Sequence, residues 1–155
     1  MDLLRSQHHR ALDAIVRQDV PRAHGPDYWE RRAELPSGPR AVVVLYLAAN
    51  AADGDGFPAI YLDLDLDAEE LVEAAAHVGA AAHAALFRRV EQVLPADARD
   101  DRERLCDFVL EHEERFEAFD AAYYALEDRG DVLIEHLIRY LLAHPDEFAP
   151  YRRGG

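Results

Sequence analysis

The 155-residue sequence contains no lysine, so all 17 of its basic side chains are arginine. This absence is a bias of composition and indicates nothing about function. Basic residues of either kind are also missing from the whole segment 41–87, which carries eight acidic residues. Because contacts to phosphate require basic side chains, the composition argues against direct binding of nucleic acid.

Cysteine and long apolar runs are nearly absent as well. Cys106 is the single cysteine, which excludes an internal disulfide framework and a thiolate zinc site within one chain. No stretch approaches the roughly 20 apolar residues of a membrane helix. The segment Met1–Val20 lacks the apolar run of a signal peptide. We therefore expect a cytoplasmic protein that makes no contact with a membrane.

The charge that is present is negative and unevenly distributed. Half of the residues are hydrophobic, enough for a core, and the formal net charge is -14. Residues 1–40 hold seven Arg and six acidic residues, whereas residues 41–155 hold ten Arg and 25 acidic residues. Such asymmetry indicates either a surface for a basic partner or simply a soluble surface.

Apolar periodicity predicts an all-α fold, a single-domain bundle of about five to seven helices spanning residues 1–155. Within it, residues 1–40 form an N-terminal helical segment and residues 41–148 the main helical core. The helices are expected over residues 2–18, 27–35, 39–52, 67–95, 100–119, 121–126 and 131–143, with loops at 36–39 and 53–56.

Two short segments are ambiguous. Residues 42–47 fit a buried strand or a buried helix, and Pro39 with the Ala-rich continuation favours the helix. Residues 62–67 alternate strictly between Leu and Asp and are expected to be irregular or extended. Gly56 is predicted to adopt a positive φ, and Phe57 to insert into the core.

The sequence offers no convincing site for a metal, a cofactor or a catalytic reaction. Histidine ligands on one helix usually lie three or four residues apart, and the pairs His8/His9, His77/His83 and His136/His144 do not. Asp63, Asp65 and Asp67 begin like a calcium loop, but Ala68 and Ala74 replace its Gly and Glu. We therefore expect no metal, no cofactor and no enzymatic activity.

Two groups of acidic residues are the candidate partner-binding site. The acidic run consists of Asp53, Asp55, Asp63, Asp65, Asp67, Glu69, Glu70 and Glu73. The acidic stripe consists of Asp100, Glu103, Asp107, Glu111 and Glu114. On one continuous helix the stripe would cover about 80° of arc, opposite the apolar face, with neighbours about 5–6 Å apart. The alternative interpretation is a solvated face without a partner.

Three stretches of the sequence resemble the DNA mimic protein 19 family of small acidic bacterial proteins. They are Leu45-Tyr46-Leu47 with Gly54-Asp55-Gly56-Phe57, then Ala74-Ala75-Ala76-His77-Val78-Gly79-Ala80, and finally Phe119-Asp120, Tyr123-Tyr124, Leu137, Tyr140 and His144-Pro145 with Phe148. The turn departs from the family pattern at Asp55, where the family tends to have Gly, and at Ala59 and Ile60. A contact made by that turn would be altered here.

The resemblance implies an all-helical protein that mimics double-stranded DNA and occupies the DNA-binding site of a basic protein such as a transcription regulator. The residues alone leave other functions open. An immunity or antitoxin-like protein that neutralises a basic toxin would need the same charges. An enzyme would need carboxylates and histidines brought together in one pocket. The sequence does not decide between a monomer and a homodimer.

Overall fold

The structure, a computed structural model, describes the backbone of residues 3–151 and the side chains of residues 7–151. These residues form helices and no strand, which confirms the all-α prediction. The α-helices are α1 (Leu3–Ala14), α2 (Val20–His24), α3 (Ser37–Asp55), α4 (Ala59–Asp63), α5 (Ala68–His77), α6 (Ala81–Val93), α7 (Ala96–Arg99), α8 (Arg102–Glu111), α9 (Glu113–Asp128), α10 (Leu133–Ala143) and α11 (Pro145–Phe148). The predicted five to seven helices are too few for the described residues. Turns divide the longer predicted helices, and the short helices α4, α7 and α11 form in segments where none was expected.

The first predicted helix extends further than expected. A π-helical turn, Ile15–Asp19, joins α1 to α2, and the chain remains helical to His24. Pro21 does not end it because it lies in the first turn of α2, where a missing N–H is tolerated. Leu4, assigned to the apolar face of this helix, lies outside the described side chains.

The short helix predicted over residues 27–35 is present only in part. Bonds between residues three apart tighten this segment, and only Arg32–Glu34 forms a regular 3-10 turn. Long-range bonds determine its path: Trp29 Nε1 donates to the carbonyl oxygen of Asp65 at 3.1 Å, and Arg32 binds Glu70. The segment is therefore held against the start of α5.

Helix α3 is the central element of the core. Residues 42–46 are at most 2% exposed, and a helix that is apolar on all sides is expected to be buried. The interpretation of residues 42–47 as helix is confirmed. The loop predicted at residues 36–39 is wrong, because α3 begins at Ser37 and accommodates Pro39 in its first turn. Helices α5 and α10 pack against α3.

Gly56 and Phe57 connect the end of α3 to an aromatic cluster. Gly56 has φ 90°, a conformation that favours glycine, and Phe57 is fully buried. The Phe57 ring lies 6.0 Å from Phe87 and 5.6 Å from Tyr123, centroid to centroid. Its backbone N–H donates to the Asp120 carboxylate at 2.7 Å. The structural assignment of both residues is confirmed, although α3 continues to Asp55 through most of the predicted loop.

The helix predicted over residues 67–95 is divided in two. Gly79, at φ 82°, separates α5 from α6, and the two helices pack against each other. A glycine in this left-handed conformation commonly ends a helix. The apolar periodicity continues on both sides of the turn, which is why the sequence pattern concealed it.

The helix predicted over residues 100–119 is also divided, and its second half joins the segment 121–126. His112, with φ -122° and ψ 46°, ends α8, and α9 runs from Glu113 to Asp128. The His112 ring stacks on Phe108 at 4.0 Å, and its Nδ1 lies 2.8 Å from the Phe108 carbonyl oxygen. His112 is therefore a half-buried residue at the junction of two helices.

The last predicted helix is present as α10, and its apolar side completes the core.

The segment 62–67, expected to be irregular or extended, is helical at its start. Helix α4 ends at Asp63, and Leu64 is extended. The buried apolar side chains of α1, α3, α5, α6, α8, α9 and α10 form one cluster. No helix of the described residues is long and apolar enough to cross a membrane.

Candidate acidic interaction surface

Twelve of the thirteen predicted partner-binding acids are exposed, and Glu70 is the exception. Both Glu70 carboxylate oxygens accept hydrogen bonds from Arg32, at 2.6 and 2.7 Å, and both side chains are only 15% exposed. The Glu70 side chain also accepts the backbone N–H of Asp67 in a capping box. Glu70 is therefore engaged within the fold.

The acidic run follows helix ends rather than one helix. Asp53 and Asp55 lie in the last turn of α3, which contains no basic residue, and Asp63 ends α4. Asp67 is the N-cap of α5, as the sequence predicted, followed by Glu69 in its first turn. Negative charge stabilises a helix N-terminus and destabilises a C-terminus, so the placement of Asp53 and Asp55 opposes the dipole of α3.

The acidic stripe is not continuous, which corrects the prediction of a single helical face. Glu103, Asp107 and Glu111 lie on α8 at intervals of four residues and share one face. Asp100 precedes the N-cap residue Asp101, and Glu114 lies on α9 beyond the break at His112. The predicted regular array therefore comprises three residues on one helix, with one acid at each end on a different element.

The run and the stripe meet at one shallow depression. Asp67, Glu69 and Asp100 all line it, together with Glu91 and Arg99. Partial burial raises the pKa of Asp67, and the neighbouring carboxylates of Glu70, Asp100 and Asp65 raise it further, against the opposing effect of Arg32. The two acidic groups predicted separately thus form one neighbourhood of like charge.

The arginines of the described residues leave most of this surface without ion pairs. Three arginines near the N-terminus pair with acids of their own segment: Arg17 with Asp13, Arg22 with Asp19, and Arg31 with Asp27 and Glu34. Arg104 pairs with Asp97, and Arg102 donates to the carbonyl oxygens of Leu62 and Leu64. Among the thirteen predicted acids, ion pairing to arginine within the described chain is confined to Glu70.

Sequence reasoning missed a second cluster, formed by His83, Asp131 and His136. His83 lies on α6, Asp131 in the turn after α9, and His136 on α10. One ligand atom from each residue lies within 4.8 Å of the others. Spacing along a single helix could not reveal it, because His83 and His136 are 53 positions apart and come together only through packing of the helices.

Burial gives this cluster unusual electrostatics. His83 is 0% exposed, and burial lowers its pKa to about 4, although Asp131 acts in the opposite direction. His136 Nε2 lies 2.5 Å from Asp131 Oδ1, and this hydrogen bond lowers the pKa of the Asp131 carboxyl. The cluster thus combines a neutral imidazole with an ionised carboxylate at neutral pH.

Comparison with known proteins identifies one family. The family model described as DMP19-like protein matches residues 33–144, well over half of the chain. No curated protein and no solved structure matches the chain. The matched segment includes the acidic run, the acidic stripe, and the cluster of His83, Asp131 and His136.

Proposed function

The chain belongs to the DMP19-like protein family, and from this membership together with its surface we propose that it mimics double-stranded DNA. In this role it occupies the DNA-binding site of a basic protein, such as a transcription regulator, in the cytoplasm. It acts by binding and not by catalysis.

The unneutralised acids of residues 53–114 are the observation that carries the proposal. Twelve exposed carboxylates make no ion pair with the described arginines, several of which bind other groups. A protein partner with a DNA-binding site presents Arg and Lys side chains to phosphates. Carboxylates facing those side chains would provide complementarity and accelerate association through electrostatic steering.

Helix stability does not account for the positions of several of these acids. Asp53 and Asp55 lie at the C-terminal end of α3, where negative charge costs about 0.3–1 kcal/mol per residue at low ionic strength. On α8, Glu103, Asp107 and Glu111 repeat every four residues, a spacing of about 6 Å along the helix axis at which like charges repel. Binding to a basic partner would explain why acids occupy positions that lower helix stability.

The experiment that tests the proposal begins with capture of the partner. The chain is immobilised, an extract of the native host is passed over it, and proteins released by salt are identified by mass spectrometry. The captured protein is then mixed with its DNA in a mobility-shift assay, and the chain is added in increasing amounts. Release of free DNA, without a slower ternary band, supports mimicry.

Matched variants make this result specific. Asp107→Asn with Glu111→Gln should capture less partner and release less DNA. Asp19→Asn with Asp27→Asn changes net charge equally but in the N-terminal segment, and should behave as the wild type. A partner that binds chain and DNA together, or tight binding of DNA by the chain itself, would contradict the proposal. Capture of a basic toxin that loses its activity would instead establish the immunity role.

A further inference from the structure

We infer that His83, Asp131 and His136 bind one divalent transition-metal ion, with Zn²⁺ as the reference ligand. The site is separate in function from the acidic surface. Its three ligands come from α6, from the turn between α9 and α10, and from α10. An ion held there would join α6 to α10, two elements far apart in the sequence.

The distances between the ligand atoms are close to those of a tetrahedral site. Asp131 Oδ1 lies 3.8 Å from His83 Nδ1 and 2.5 Å from His136 Nε2. Ligand atoms at about 2.0–2.1 Å from a tetrahedral zinc ion are about 3.3 Å apart. All three ligand atoms lie within 4.8 Å of one another, so changes of about 1.5 Å or less in their separations would bring them to the spacing of a tetrahedral site.

His83 provides the independent argument for a ligand. Its side chain is fully buried, yet neither ring nitrogen has a hydrogen-bond partner in the described part of the chain. An unsatisfied buried polar group costs about 1–3 kcal/mol. His136 and Asp131 satisfy each other by a hydrogen bond, so their positions require no ligand. The buried ring of His83 has no such partner among the described residues. A metal ion coordinated by Nδ1 would satisfy one of these two nitrogens and so remove part of this cost.

The donor set determines which class of ion fits. Two imidazoles and one carboxylate suit Zn²⁺ and neighbouring transition ions, whereas Ca²⁺ and Mg²⁺ require oxygen ligands. Coordination needs neutral imidazole and ionised carboxylate, the forms that burial of His83 and the partners of Asp131 favour. The side chains of Asp131 and His136 are 32% and 18% exposed, so solvent can reach the ion and provide a fourth ligand.

The test is a calorimetric titration of the untagged, EDTA-treated full chain with ZnCl₂. We expect one ion per chain. Asp131→Asn and His136→Gln should each weaken the affinity at least about tenfold, because even outer ligand partners contribute this much. His144→Gln is the matched control, since His144 Nδ1 lies 3.1 Å from the Glu147 carboxylate outside the cluster. Its affinity should equal that of the wild type.

A second measurement does not depend on variants that fold. Co²⁺ is titrated into the wild-type chain, and the proton resonances of the histidine rings are followed by nuclear magnetic resonance. Paramagnetic shifts of His83 and His136, with a visible absorption typical of tetrahedral Co²⁺, are expected. Absence of Zn²⁺ binding by the wild type, equal affinity in all variants, or Co²⁺ shifts confined to other histidines would overturn the inference.

Discussion

The Arg32 guanidinium binds both carboxylate oxygens of Glu70, a residue 38 positions later in the chain, at 2.6 and 2.7 Å. The pair attaches the N-terminal segment to the start of α5. It also removes Glu70 from the acidic surface to which its sequence neighbours belong. Glu69 and Glu70 therefore differ although they are neighbours: Glu69 is exposed on the acidic surface, and Glu70 is paired within the fold. Matched substitutions at the two positions can distinguish these roles.

Glu70→Gln should lower the free energy of unfolding by about 1–3 kcal/mol, because a part-buried, charge-assisted pair and a capping contact are weakened. Urea denaturation measures the change. Glu69→Gln makes the same substitution at an exposed neighbour and should remain within about 0.5 kcal/mol of the wild type. Equal stability of the two variants would show that the Arg32 pair contributes nothing.

Phe57→Ala should cost about 3–5 kcal/mol, because it removes a fully buried ring at the centre of an aromatic cluster. The free energy of unfolding from urea denaturation measures this loss. An unchanged melting temperature would contradict the burial of Phe57 and make it a candidate contact for a partner.

The double change of Asp107→Asn and Glu111→Gln should slow association with the captured partner by up to about tenfold at low salt. The difference from the wild type should decrease as salt screens the charges. Stability should stay equal or rise by a few tenths of a kcal/mol, because repulsion along α8 is relieved. Stopped-flow rates against ionic strength measure the effect. Equal rates at every salt concentration would limit these residues to solubility.

Asp67→Asn should stabilise the protein at pH 7 and not at pH 3. The pKa of Asp67 is raised in the fold, first by burial and then by Glu70, Asp100 and Asp65, which outweigh Arg32. The ionised form is therefore disfavoured at pH values above the folded pKa. Below the unfolded pKa both states are protonated, and the penalty disappears. Asn is an equally good N-cap.

Denaturation of this variant at several pH values measures the difference. Asp101→Asn is the matched control, because Asp101 is the N-cap of α8. It measures how much the change from Asp to Asn at an N-cap alters the free energy of unfolding. A stabilisation by Asp67→Asn that is the same at pH 7 and pH 3 would show that the neighbouring carboxylates have no part in it.

The sequence predicted an element correctly where a turn or helix-start residue stood next to apolar residues that the fold buries. Gly56 followed by Phe57 predicted a turn and a core ring, and the helix expected from residue 67 does begin there, with Asp67 as its N-cap. The breaks at Gly79 and His112 were missed because apolar residues recur with helical spacing on both sides. In the candidate site, the composition predicted exposed acids, but the Arg32–Glu70 pair and the cluster of His83, Asp131 and His136 depend on long-range packing.

The turn at Gly79 has a consequence for the order of folding. Only residues 78–80 separate α5 from α6, so the entropy lost in closing this loop is small, whereas the Arg32–Glu70 pair closes a much longer one. Helices that are neighbours in the chain can also associate rapidly, since low contact order favours fast folding. The α5–α6 hairpin should therefore form before the N-terminal segment docks, and amide hydrogen exchange during refolding would record it as the earlier protected unit.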